Sequence, residues 1–75
     1  MNKALQAARA RANLTQAQLA QKAGISTSGY QKYELEQREP RLQIAICIAK
    51  VLNSTVEALF LRKEGEDIED NSGTE

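Results

Sequence analysis

Gly24 fixes the plan of this chain. It stands inside Thr15 to Glu34, TQAQLAQKAGISTSGYQKYE, where it ends one helical pattern just before another opens. A residue at a helix end commonly takes the left-handed conformation, and glycine does so without a Cβ clash. Before it, Thr15 is a good N-cap with Gln18 at capping-box spacing, and Leu19, Ala20 and Ala23 make a narrow apolar face. After it, Ile25 can plug the corner and Ser26 can cap a second helix. In that second helix Tyr30 and Tyr33 lie three apart, on one side. Thr27, Ser28, Gln31 and Lys32 point elsewhere. The segment is therefore two short helices joined by a tight turn. Hydroxyls, an amide and an ammonium on a short braced helix suit the major groove of DNA. A plain helical hairpin with a solvated face has the same composition.

The other residues limit the alternatives. Seventy-five residues make one domain at most, and so short a chain needs close packing or a partner. Aromatic residues are only 4%, and Ala, Leu and Ile dominate the apolar set, which favours packed helices over a sheet. No run is long enough to span a bilayer and there is no secretory signal pattern. Cys47 is the single cysteine, which excludes an internal disulfide and fits a cytoplasmic protein. Histidine is absent, so the commonest general base and zinc ligand is missing. The zero net charge conceals an asymmetry. Residues 1–63 hold all ten Lys and Arg against four acids, whereas residues 64–75 hold six acids and no base. A basic domain suits a polyanion, because neutralised phosphates release counterions; the same charge can simply keep a domain soluble.

The pattern resembles the lambda-repressor-like (Cro/XRE) helix-turn-helix family. The matching residues are Leu5, Arg9, Leu14-Thr15-Gln16, Leu19-Ala20, Gly24-Ile25-Ser26, Tyr30, Tyr33-Glu34, Pro40, Leu42, Ile48-Ala49-Lys50, Leu52, Val56 and Leu59. No single piece is specific; the ordered set over about residues 4–61 is. The resemblance implies an all-α, compact five-helix domain over residues 1–63, followed by a disordered acidic tail over 64–75.

It also implies roles for particular residues. Arg9 and Glu34 would form an ion pair tying the first helix to the end of the third. Thr27, Ser28 and Lys32 occupy the positions that usually meet base edges, with Gln31 as a fourth. Gln16, at the start of helix two, would bind backbone phosphate, as helix starts attract anions. Gln37, Arg38 and Arg41 could also reach phosphates, against the opposing charge of Glu36 and Glu39. Two positions depart from the family pattern. Gly29 sits inside the reading helix, either for close approach of backbone to DNA or because it is tolerated. Leu35-Glu36 stands where relatives often carry an Asn-Gly turn.

Elsewhere, helix one is expected from Lys3 to Ala12 with Leu5, Ala8 and Ala12 buried, and Asn13 as a left-handed terminator. Pro40 is compatible with the start of helix four, expected over residues 41–52. There Leu42, Ala45, Ala49 and Leu52, with Ile46 and Ile48, suffice for the core. Ile44, Cys47 and Val51, joined by Phe60, form a further apolar stripe, which is either a homodimer face or an apolar monomer surface. Ser54 and Glu57 have capping-box spacing for helix five, with Arg62 and Lys63 at its end. The acidic tail would either solubilise the domain or fold back over its basic face.

A sequence-specific regulator, dimeric on a palindromic double-stranded operator, is the leading functional expectation, of the phage-repressor, restriction-modification-controller or antitoxin kind. The competing class is a protein-interaction module of the same fold with weak or lost DNA binding. No enzyme is expected, since no nucleophile, base and acid cluster and no phosphate-cradling glycine loop appears. No cofactor, metal or small-molecule ligand is evident either.

Overall fold

The computed structural model describes residues 1–60, which form five helices: α1 (Lys3–Arg11), α2 (Gln16–Ala23), α3 (Thr27–Glu34), α4 (Leu42–Val51) and α5 (Val56–Phe60). The expected end of α5 at Arg62 and Lys63, the boundary at residue 64 and the acidic tail lie outside the described residues.

Each of the first three helices starts on a side chain that accepts from its first turn. Asn2 accepts from the Leu5 N–H, Thr15 from that of Gln18, and Ser26 from that of Gly29. Thr15 and Gln18 form the full reciprocal box, which satisfies two otherwise orphaned donors. The first four helices also end alike. The residue past the helix adopts positive φ, at Asn13, Gly24, Glu36 and Asn53. The next N–H then reaches back to the last turn: Leu14 to Arg9 O, Ile25 to Ala20 O, Gln37 to Lys32 O and Ser54 to Ala49 O. This is the Schellman closure. Glu36 makes it without glycine or asparagine, which answers how Leu35-Glu36 can turn where relatives use Asn-Gly.

The core gathers Leu5 and Ala8 of α1, Leu19 and Ala20 of α2, Tyr30 and Tyr33 of α3, Ile48 and Ala49 of α4, Leu52, and Leu59 of α5. Helix α2 packs on both α3 and α4, α5 packs on α1 and α4, and α1 also meets α3. This brackets α3 with two helices behind it and leaves its outer side to solvent. Asn2 stitches the assembly where α1, α3 and α5 meet. Besides capping α1, its N–H donates to Glu34 O at 2.7 Å and its amide Nδ2 to Leu59 O at 2.7 Å.

Four expectations are corrected. Ala12 is exposed, because it is the C-cap of α1 and not part of its buried stripe. Leu42 is 68% exposed and Ile46 38%. Leu42 is the first residue of α4, and Ile46 lies off its buried Ala45–Ile48–Ala49 face. The cap of α5 is Thr55, whose Oγ1 accepts from Ala58 N at 3.0 Å, and not a Ser54–Glu57 box. Ser54 is committed to closing α4 through its own N–H.

Candidate nucleic-acid interface

Helix α3 turns two faces in opposite directions. Tyr30, Tyr33 and Glu34 are buried. Ser28, Gln31 and Lys32 are exposed, with Leu35 on the same stripe, and Thr27 is half-buried beside them. Three of the four expected base-reading side chains are therefore fully at the surface, and Thr27 is partly so. Gly29 has helical φ, and a Cβ there would meet Ser26 Oγ at 3.1 Å. The glycine thus leaves room for the hydroxyl that caps the helix.

Glu34 anchors this face from beneath. Its side chain is 1% exposed, against 22% for Arg9. Arg9 Nε donates to Oε2 at 2.6 Å and Nη2 reaches Oε1 at 3.5 Å. The third guanidinium arm, Nη1, donates to Leu14 O at 3.0 Å. The Tyr30 hydroxyl donates to Oε2 from one turn earlier in α3, and Gln16 Nε2 donates to Oε1 at 2.9 Å from the start of α2. One carboxylate therefore joins α1, α2 and α3. Burial would push its pKa up, but donation from Arg9, Tyr30 and Gln16 outweighs this and holds it below the usual carboxylate range. Burial, then the hydrogen bond to Glu34, pushes the Tyr30 phenol upward. The hydrogen bond to Glu34 raises Arg9. All three groups keep a fixed charge state across the physiological range.

Gln16 is half-buried rather than presented freely, since its carbonyl also accepts from Gln31 Nε2 at 3.1 Å. One amide hydrogen of Gln16 is left over at the helix start. Gln37 and Arg38 lie exposed in the loop that leaves α3, and Arg41 is the exposed N-cap of α4 with no side-chain cap bond.

The supporting groups around Glu34 were only partly anticipated. The Arg9–Glu34 pair came from resemblance. Periodicity puts Tyr30 on one side with Tyr33 and gives its hydroxyl no partner, although its i, i+4 spacing to Glu34 is a signal for that contact. Asn2 was missed, although an Asn directly before a helical pattern is a standard N-cap signal.

The family model described as helix-turn-helix matches residues 5–59. The chain belongs to the lambda-repressor-like (Cro/XRE) helix-turn-helix family. No curated protein and no solved structure matches it. The match runs from within α1 to within α5 and supports a DNA-binding helix-turn-helix regulator. Within it α2, the Gly24 turn and α3 are the helix-turn-helix unit. No helix among the described residues is long and apolar enough to cross a membrane.

Proposed function

We propose that this protein is a sequence-specific, double-stranded DNA-binding transcriptional regulator of the small repressor or controller type, acting in the cytoplasm. Helix α3 enters the major groove. Ser28, Lys32, Gln31 and Thr27 meet base edges, and Gln16, Gln37, Arg38 and Arg41 contact phosphates. The observation that carries this reading is the division of α3: a buried Tyr30–Tyr33–Glu34 side locks it in place, and a polar, cationic side is left uncovered. Lysine can donate to guanine O6 and N7, and serine and threonine can contact several bases.

Two copies would bind an inverted repeat with half-sites about 34 Å apart or a multiple of that. The apolar side of α4 supports a dimer, but with a shifted centre. Ile44, Val51 and Phe60 are half-buried against the core, Cys47 is exposed, and Leu42 and Ile46 are the large apolar side chains that α4 leaves uncovered. Residues 64–75, with six acids and no base, solubilise the domain.

Selection from random duplexes, followed by binding across a salt series, tests this reading. It predicts enriched palindromic half-sites and affinity that falls steeply with salt. Duplex affinity that is negligible at low salt would remove it in favour of an interaction module. Sedimentation showing a monomer at high micromolar concentration would remove the dimer.

A further inference from the structure

The exposed side of α3 carries an apolar group among its polar ones. We propose that Leu35 packs on the C5-methyl group of a pyrimidine in the major groove, so that the protein reads the presence of that methyl. Thymine carries the group, and so does 5-methylcytosine. This assignment rests on the DNA-binding reading given above.

Leu35 is 45% exposed and is the C-cap of α3, with φ −79° and ψ −6°. It therefore stays in the helical path, and its N–H donates to Gln31 O at 3.0 Å. Ser28 and Leu35 are seven residues apart, close to two turns, so they share one side with Lys32 between them. Side chains on a helix lean toward its N-terminus, so Leu35 covers the turn before it and not the end of the helix. Leu35 and Gln31 accordingly line the same shallow hollow. Glu36, at φ 61°, then turns the chain away, and Leu35 closes the row. Local structure does not call for leucine here. The apolar contact that often accompanies a Schellman closure joins C″ to the last turn, and C″ is Gln37.

Chemistry narrows what Leu35 can meet. Its side chain has no donor or acceptor, so it neither holds a phosphate nor pairs with a polar base edge. The apolar group that a base pair presents in the major groove is the thymine C5-methyl. Ser28 to Leu35 covers roughly 10 Å of helix axis, about three base-pair steps. Zinc-finger helices contact three successive bases over a similar interval. Leu35 is thus within reach of a base that lies in the same groove as those met by Ser28 and Lys32.

The test uses the full chain and the half-site it selects from random duplexes. Thymines are replaced one at a time by uracil, which removes only the methyl, and cytosines one at a time by 5-methylcytosine, which adds it. At one position of each half-site the methyl should tighten binding of wild type by about three- to five-fold, the worth of one buried methyl. Leu35→Ala should bind the two duplexes of that pair alike. Leu35→Met, which keeps an apolar tip of similar volume, should retain the difference. Each comparison is a ratio within one protein, so a change in its stability cancels. A response to uracil makes thymine the source of the methyl, and a response to 5-methylcytosine alone makes it the modified base; either supports the contact if Leu35→Ala abolishes it. Equal binding with and without the methyl at every position overturns the proposal, and so does a methyl effect that survives Leu35→Ala. Weakening of all duplexes alike by Leu35→Ala, with the methyl effect intact, also overturns it and puts Leu35 on deoxyribose. Failure of wild type to bind any duplex overturns the DNA-binding reading itself, and the role of Leu35 with it.

Discussion

Arg9 Nε and Glu34 Oε2 lie 2.6 Å apart across 25 positions of sequence, with the carboxylate almost wholly out of water and the guanidinium at its edge. The pair fixes the end of α3 against α1, so it bears on the attitude of the exposed face. A buried ion pair is weak grounds for stability in itself, but severing one leaves an uncompensated charge. Arg9→Ala should therefore destabilise the fold by roughly 3 kcal/mol, at the low end for such a loss because Tyr30 and Gln16 still donate. Arg11 is exposed, and Arg11→Ala should stay within about 0.5 kcal/mol. Thermal or urea unfolding of the two variants checks this, and equal midpoints would contradict it.

The same carboxylate sets an acid dependence. Its pKa is lower in the folded protein than in the unfolded chain, so the unfolded state binds the proton more readily and stability rises with pH through this region. The contribution is fully present above the ordinary glutamate value of about 4.3 and is lost as pH falls through the folded value. Glu34→Gln should be less stable than wild type at neutral pH. The gap should narrow below about pH 4.3. A gap that is constant from neutral pH to pH 3 would show that Glu34 has no depressed pKa.

How far these features could be read without coordinates depends on their range. Caps and terminators are local, so Thr15–Gln18, Gly24, Ser26 and Asn13 were legible as residue types at fixed spacing. The exposed set on α3 followed from the same periodicity. Contacts between helices were not legible in this way: Arg9 to Glu34 came only by resemblance. The bond from Gln16 to Glu34 and the link to Gln31 depend on how α2 and α3 cross, which no spacing encodes. Helix α4 shows the other limit. Apolar residues run nearly all round it, so periodicity could not say which would be covered. Leu42 has the angular position of a core residue, yet it stands in the first turn of α4 and is 68% exposed.

Base contacts and phosphate contacts should separate in binding experiments. Lys32→Ala should cost about 1–3 kcal/mol on the preferred duplex and little on others, relaxing specificity at one position. Arg41→Ala should weaken binding to all duplexes alike and reduce the salt slope by about one. Titrations of specific and scrambled duplexes at several salt concentrations measure both. A sequence-independent effect of Lys32→Ala would move it to the phosphate group.

Asn2 should matter more than its position near the chain start suggests. Its Oδ1 caps α1 at 3.0 Å from Leu5 N, and its Nδ2 donates to Leu59 O. Loss of an N-cap side chain costs about 1 kcal/mol, and here the tie to α5 is lost as well. Asn2→Ala should therefore destabilise by about 2 kcal/mol, adding a hydrogen bond of about 1 kcal/mol to the cap. Asn2→Asp retains the capping oxygen but sets a second acceptor against Leu59 O, so it should recover only part of the loss. Full recovery in Asn2→Asp would show that the cap alone matters.

Glu36 gives the sharpest test of the helix ends. It holds φ of 61° past the end of α3, a conformation that costs an L-residue with a Cβ roughly 1–2 kcal/mol relative to glycine. Its carboxylate also takes the amino group of Met1 at 3.1 Å. Comparing wild type with a single variant would mix strain with the loss of that charge. Comparing Glu36→Gly with Glu36→Ala does not, because both lose the carboxylate. Glycine should be the more stable of the two by about 1 kcal/mol, the reverse of their order inside a helix, where alanine is favoured by a similar amount. Denaturant melts of the two variants decide it. Alanine equal to or above glycine would mean that the chain leaves α3 by some other path than the left-handed turn at Glu36.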